Sequence, residues 1–335
     1  MGYYLSKGCQ ILKSNFPSNT KMLPSSRQWI FLLILGILVS VPTLLSARQK
    51  SKEPKSPIPR TDLISKIKSA VIQIAFQSNP PVPNGAGVAG TAFLVSQDGY
   101  AVTAAHVITQ TKKMAEANGA KEVQFAAGVT LDTTSEPGAK FRGSFEWIPC
   151  TLLDIDEPHD IAILKLSRNP FSPFFNTGIV LGGKRLSLRV TTAKLQAELP
   201  AEGIELLVSG YPLSIPTLVT QRGTVASESF REIEINKPGA PPWFTVREAA
   251  DMILADIVVN PGNSGGPFYL SDTGNVIGVC QGNVSSPVHW PDSSIVFGQR
   301  DGRTEPIVQN SGLAIVLPIK YAMLLLDKNK INYDH

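Results

Sequence analysis

The sequence predicts an all-β fold of two packed barrels or sandwiches, with a membrane-spanning helix ahead of it and only short helices at the ends of the folded part. Three observations carry this expectation. Short apolar runs recur between turn signals in two groups of roughly six. The 335 residues include 27 Gly and 26 Pro, which interrupt long helices. The helix-length segments that parallel strands need as crossovers are mostly absent, which disfavours a parallel sheet.

Taken in order, residues 1–28 form a basic tail. Trp29 to Ala47 is 19 residues without a charge, close to the ~20 needed to cross the hydrocarbon core of a bilayer as a helix. A retained anchor is favoured over a cleaved secretory signal, because the flank before the apolar run is long for a signal and Leu45-Ser46-Ala47 is a poor cleavage site. A buried globular helix is the remaining alternative. Lysines and arginines on both sides leave its orientation open. Residues 48–61 follow as a Pro- and Lys-rich tether.

The folded part is expected over residues 62–330. It opens with a short helix, Asp62 to Ala70, capped by Thr61 or Asp62, and then a strand from Val71 to Phe76. Further strands are expected at Thr91–Ser96, Ala101–Thr103, Val123–Ala126, Thr151–Ile155 and Ile161–Leu166, with a turn at Asp98-Gly99. After a boundary near 185–200, strands resume at Glu205–Gly210, Thr217–Ala226, Met252–Val258, Val276–Cys280 and Gly312–Pro318. A helix from Lys320 to Lys328 ends the chain.

Composition excludes several function classes. With 43% hydrophobic and 17% charged residues, the chain is too apolar to be disordered. Three cysteines without a C-x-x-C pair cannot build a disulfide framework or a cysteine-rich metal site, and four histidines leave little for any other metal. No metal and no cofactor is expected. The net charge of +4 divides into +8 for residues 1–60, nine Lys or Arg against Glu53, and therefore −4 for the other 275. A mildly acidic folded part argues against nucleic-acid binding.

The most informative stretch is Asn260-Pro261-Gly262-Asn263-Ser264-Gly265-Gly266-Pro267. A serine in a glycine-dense turn leaves backbone N–H groups unhindered, and those of Gly262 and Ser264 can converge on a developing oxyanion. A hydroxyl becomes a useful nucleophile when an imidazole takes its proton and a carboxylate orients that imidazole. His106, closing a strand and turn that end in Thr-Ala-Ala-His, and Asp160, opening Asp-Ile-Ala-Ile-Leu-Lys-Leu, are the candidates. Each alone is more ordinarily a local polar or turn residue.

Together, and in this order, the three segments resemble the catalytic motifs of trypsin-like serine proteases, specifically the HtrA (Deg) family. Supporting segments fall in family order: Gly210-Tyr-Pro-Leu, Gly223-Thr-Val, Ala255-Asp-Ile, Gly274-Asn-Val-Ile-Gly-Val and Ser311-Gly-Leu-Ala-Ile-Val-Leu-Pro. The resemblance spans about residues 62–325. It implies a chymotrypsin-like double β-barrel, His106 as general base, Asp160 as its orienting partner, Ser264 as nucleophile, and the amides of Gly262 and Ser264 as the oxyanion hole. It implies peptide hydrolysis through an acyl-enzyme, with Gln281, Gly282 and Asn283 pairing by main-chain hydrogen bonds with an extended protein or peptide substrate. Val258, six residues before Ser264, and the adjacent Val259 would line the pocket for P1, the residue whose carbonyl is attacked. An aliphatic P1 follows, since no counter-ion for Lys or Arg is present. A homotrimer and a role in protein quality control are implied by resemblance only, whereas an extracytoplasmic or periplasmic domain is expected from the apolar segment together with the resemblance.

Departures from the family pattern matter too. About 16 residues follow Ile319, too few for the C-terminal PDZ domain most members carry. Asn263 stands where digestive relatives use Asp to bind a newly cut N-terminus. A catalytically silent scaffold at the membrane is the alternative function. Gly262-x-Ser264-x-Gly266 also matches the nucleophile elbow of esterases, but those need their acid and His after the serine, where only His289 and His335 remain. His159 is expected at the surface, pointing away from Asp160. Cys150 and Cys280 are expected as small core residues, Asn283-Val284-Ser285 is a chance glycosylation sequon, and Trp243, Phe244 and Trp290 are either loop aromatics near the cleft or, as the more ordinary use, packing residues.

Overall fold

The strands Val71–Asn79 (β1), Ala86–Ser96 (β2), Tyr100–Ala104 (β3), Glu122–Asp132 (β4), Phe145–Asp156 (β5) and Ile161–Leu166 (β6) pair in the order β1-β2-β3-β6-β5-β4, and β1 pairs again with β4 to close the ring. A second closed barrel follows. Its strands are Glu205–Gly210 (β7), Val219–Phe230 (β8), Met252–Asp256 (β9), Pro267–Leu270 (β10), Val276–Pro287 (β11) and Val308–Pro318 (β12), in the order β7-β8-β9-β12-β11-β10. This computed structural model describes residues 60–132, 145–172, 180–181, 184–185, 187–188, 190–230, 252–300 and 303–335. The basic tail, the apolar segment 29–47, the tether up to residue 59, and Trp243 and Phe244 lie outside them. Among the described residues no helix is long and apolar enough to cross a membrane.

Period-2 alternation explains how the second barrel holds together. Leu206, Val208, Phe268, Leu270, Ile277, Ala314 and Val316 fill its interior with Cys280 and Val259. Their neighbours Leu207, Tyr269, Val276, Ile315 and Leu317 belong instead to a larger buried cluster shared with the first barrel. Adjacent residues of a strand point to opposite faces, so strands buried on both faces read as continuous apolar runs. The buried Ser209 is paired: its Oγ lies 2.8 Å from both Thr220 Oγ1 and the Tyr269 hydroxyl. Cys150 and Cys280 are free, buried thiols, each pushed up to about 12 by burial.

Among the described residues, three α-helices decorate the barrels. Helix α1, Arg60–Lys68, begins before Asp62, so the expected cap residues sit in its first turn, where Asp62 favours the helix dipole. Helix α3, Ile319–Lys328, buries Ile319, Ala322, Leu325 and Leu326, an i, i+3, i+7 stripe with one flanking position, against the shared cluster. Helix α2, Ala105–Ala117, was not legible in the sequence. Its apolar stripe of Ala105, Val107, Ile108, Thr111 and Ala115 is buried, but Val, Ile and two Thr are weak helix formers and Ala104 provides no side-chain cap. The strand β10 and the structure between β11 and β12 were missed as well.

The end of α3 is tied to β5 through Asp154, whose carboxylate accepts from Lys328 Nζ at 2.8 Å and Asn329 Nδ2 at 2.7 Å. These bonds hold its carboxyl down to about 2 from the ordinary 3.8. A carboxylate with a depressed folded value adds stability above its unfolded value, and that contribution is lost as pH falls from about 4 toward 2. Because Lys328 is 65% exposed, the expected cost of Asp154→Asn at pH 7 is about 1 kcal/mol or less. Thermal unfolding at pH 7 and at pH 2 checks this: the wild type and variant should differ only at the higher pH.

Candidate active site

Asp160 brings the site together from the first barrel. It closes the turn between β5 and β6 at φ 54°, a left-handed conformation that Asp tolerates better than most residues. Its Oδ2 lies 2.7 Å from His106 Nδ1, and its Oδ1 accepts the His106 main-chain N–H, also at 2.7 Å. The Asp160 carbonyl accepts from the Ala105 N–H at 2.8 Å. Two of the orphan amides at the start of α2 are thus satisfied by a residue 54 positions away rather than by a local cap. One carboxylate both starts the helix and holds the imidazole on its first turn. With Nδ1–H donated to Asp160, Nε2 carries the free lone pair.

Ser264 sits in the turn before β10. Asn263 N donates to the Asn260 carbonyl and Gly266 N to the Asn263 carbonyl, while Gly265 N and Cys280 N lock the turn onto β11. Gly262 and Gly265 have φ of 100° and 83°. A Cβ on Gly262 would overlap the Tyr211 carbonyl, and one on Gly265 would overlap the Thr91 carbonyl and Thr103 Oγ1. Among the described residues, neither Gly262 N nor Ser264 N donates to a protein acceptor. The Ser264 hydroxyl donates to the Gln281 main-chain carbonyl at 2.8 Å, and no hydrogen bond joins it to His106 among the described residues. Two buried acceptors beside it, Asn263 Oδ1 and Gln281 Oε1, have no hydrogen-bond partner there. Asn263 Nδ2 donates to Gln221 Oε1 at 2.9 Å.

Thr91 is the residue the sequence did not reveal. It is fully buried on β2 and reaches the Ser264 loop from the other barrel. Its N–H donates to the Ser264 carbonyl at 2.9 Å, its hydroxyl donates to the Gly262 carbonyl at 2.7 Å, and the same oxygen accepts from Tyr211 N–H at 3.0 Å. A threonine on a strand is ordinary β composition, so nothing local marks it. Tyr211 is itself buried, which pushes its phenol up to about 12. Thr91→Val keeps the shape and strands both partners of the hydroxyl. A loss of about 2–4 kcal/mol is expected in urea unfolding; a change under about 0.5 kcal/mol would mean that water replaces both bonds.

The other expected site residues are placed as follows. Gln281, Gly282 and Asn283 lie half-buried on β11, with Gln281 at a bulge between the pairs Cys280 to Val316 and Gly282 to Ile315. Val258 is 51% exposed and lines an open pocket of about 470 Å³ with Glu205, Arg222, Gly223, Thr224, Asp256 and Ile257. No residue of the 260–266 loop lines that pocket. Val259 is buried in the second barrel's interior. His159 is in a turn rather than extended, half-buried, with Nδ1 2.7 Å from Asp156 Oδ2 and its ring stacked on Tyr321 at 3.8 Å. His289 lies between β11 and β12, with Nδ1 3.0 Å from the Ser293 carbonyl.

The trypsin-like peptidase domain profile matches residues 90–279. The chain is 26% identical over 244 residues to serine protease HTRA1 of Xenopus laevis, covering 69% of this chain and 41% of that protein. It is 29% identical over 219 residues to serine protease HTRA1B of Danio rerio, covering 65% and 35%. A probable periplasmic serine endoprotease, DegP-like, of Chlamydia pneumoniae is 29% identical over 200 residues, covering 59% and 29%. The chain thus spans 41% or less of the length of these relatives. Among solved structures, an HtrA-type protease AlgW with decapeptide superposes with a TM-score of 0.49 at 17% identity, covering 81% of this chain and 67% of that one.

Proposed function

Since the chain belongs to the trypsin-like peptidase domain family, we propose that it is a serine endopeptidase that cleaves unfolded or extended protein substrates through an acyl-enzyme. The observation that carries this reading is the coupling of His106 to Asp160 at both its ring and its main chain. It comes with a serine loop whose Gly262 and Ser264 amides have no protein acceptor among the described residues. In the proposed reaction a substrate main-chain N–H takes the Gln281 carbonyl, and the displaced Ser264 hydroxyl turns to His106 Nε2. His106 accepts the proton as Ser264 Oγ attacks the carbonyl, and the new oxyanion is received by the Gly262 and Ser264 N–H groups. His106 then protonates the leaving amine. Water repeats the sequence to release the acid.

The sequence position of Val258 supports an aliphatic P1. Digestion of β-casein, an unstructured protein, with mapping of the cut sites tests it: cuts chiefly after Val, Leu, Ile or Ala are expected, and cuts chiefly after Lys or Arg would overturn the preference. The 19 uncharged residues from Trp29 to Ala47 support attachment to a membrane. The proposed extracytoplasmic placement is tested by protease accessibility in intact cells, a protected domain being the contrary result. A homotrimer is proposed by analogy with the family resemblance, and sedimentation of a fully active monomer would dispose of it.

One observation favours a second reading, a silent scaffold: the Ser264 hydroxyl is engaged by Gln281 rather than His106. The esterase reading has no such support, since every barrel strand pairing described is antiparallel, whereas a nucleophile elbow stands on a parallel sheet.

A further inference from the structure

The turn that delivers Asp160 to the active site is short. Strand β5 ends at Asp156, which pairs with Ile161 at the start of β6, so residues 157–160 alone reverse the chain. Asp160 closes the turn in the left-handed conformation, φ 54°, a backbone state that L residues keep only where surrounding contacts hold it. The Asp160 N–H donates to the Glu157 carbonyl at 3.1 Å. Glu157 and Pro158 are exposed, so a side-chain clamp on the turn has to come from Asp156 and His159.

His159 supplies it by repeating on Asp156 the arrangement that His106 makes on Asp160. Asp156 Oδ1 accepts the His159 main-chain N–H at 3.2 Å, and its Oδ2 lies 2.7 Å from His159 Nδ1. The imidazole is also stacked on Tyr321, with ring centroids 3.8 Å apart and planes 17° from parallel. Tyr321 is on the first turn of α3 and packs against the buried cluster shared by the barrels, which gives the imidazole a fixed floor. A turn histidine left in water would keep its rotamer freedom; here a carboxylate and an aromatic ring both remove it, at a cost in entropy.

Helix α3 therefore grips the β5–β6 hairpin at two points. Tyr321 and Lys328 are seven residues apart, two turns along one face of the helix. Lys328 holds Asp154 within β5, and Tyr321 holds His159 beyond its end. Only the second hold reaches the residue beside Asp160.

We propose that His159 and Tyr321 are positioning residues, which by stacking on each other hold the 157–160 turn so that the Asp160 carboxylate meets both the ring and the main chain of His106. Both bonds to His106 are 2.7 Å long and come from one carboxylate, so both depend on one backbone placement. A tilt of the turn loosens the bond to the His106 ring, and the ring is then held less firmly in the tautomer that leaves Nε2 as the base. The substrate contacts assigned to β11 do not pass through this turn, so the effect falls on kcat and not on KM. This inference rests on the endopeptidase reading and names the residues that orient its carboxylate.

The test uses the full chain and one peptide carrying a cut site mapped in β-casein, with circular dichroism confirming that each variant is folded at the assay temperature. His159→Ala and Tyr321→Ser should each lower kcat by about 10-fold with KM unchanged within about twofold. Tyr321→Phe, which keeps the ring, should restore most of the kcat lost in Tyr321→Ser. The double variant should be no worse than the singles, because the two rings make one contact. Should His159→Ala fail to fold, His159→Asn, which keeps a donor for Asp156 and removes the stack, is read in its place. Asp154→Asn is the comparison: it releases the other hold of α3 and should leave kcat within about twofold of the wild type. A kcat retained in either His159→Ala or Tyr321→Ser overturns the inference. So does an equal loss of kcat in Asp154→Asn, which would make the effect a general loosening of the hairpin, and so does a change in KM alone. In each of these outcomes the endopeptidase reading stands. A wild-type chain that neither cuts casein nor reacts with a fluorophosphonate overturns both.

Discussion

Ser264→Ala and His106→Ala should each abolish covalent labelling by a fluorophosphonate and lower peptide hydrolysis by a factor on the order of 10⁴ to 10⁶. A phosphonylating probe needs a serine oxygen whose proton can leave. In the proposed reaction the acceptor is His106 Nε2, because Nδ1 is taken by Asp160 Oδ2 at 2.7 Å. Removing either partner removes the same step, so the double variant should be no worse than the singles. Asp160→Asn should cost about 10⁴ in kcat by freeing the wrong tautomer, and it should also loosen α2, since the same side chain caps the His106 amide. Each variant is compared by gel-based labelling, with circular dichroism confirming the fold. Labelling that survives in Ser264→Ala would place the nucleophile elsewhere. A wild-type chain that resists the probe would favour the scaffold reading, with the serine kept on the Gln281 carbonyl.

Gly265→Ala should lower stability by about 3 kcal/mol or more, through left-handed strain of about 1 kcal/mol together with overlap in a closed site. The added methyl meets the Thr91 carbonyl, a backbone atom that is also bonded by Thr103 Oγ1 at 2.7 Å and cannot retreat alone. Gly119 provides the control. Its φ is 97° and nothing lies within 4 Å of the position a Cβ would take, so Gly119→Ala should show only the strain, about 1 kcal/mol. Chemical denaturation of both variants decides the matter. Equal losses would mean that the loop and β2 separate readily, and that the two barrels are held together elsewhere than at this contact.

Most barrel strands were legible because their signal is local. Ile161–Leu166 and Glu205–Gly210 are short apolar runs between turn residues, and their limits in the structure are those the pattern predicts. β5 was cut short by Pro149 and by its exposed residues, whereas pairing with β4 over Phe145–Cys150 and with β6 over Cys150–Asp156 carries it from Phe145 to Asp156. The lobe between β11 and β12 reads as a polar, Pro-containing loop and is nonetheless built of main-chain pairs. His106, Asp160 and Ser264 stood out through their motifs. Thr91 did not, because its partners are 120 and 171 positions away.

The sequence by itself determined the strand rhythm, the apolar faces and the order in which a histidine, an aspartate and a glycine-flanked serine occur. Those properties depend on neighbours a few residues apart, where a period of two or a tight turn is written directly in residue types. Tertiary structure alone decided that Asp160 caps a helix 54 positions earlier, that Val258 faces solvent while Val259 enters the core, and that the Ser264 hydroxyl rests on Gln281. Each of these is a contact between segments brought together by barrel closure, and a hydrogen bond across that distance leaves no trace in the local pattern of either segment.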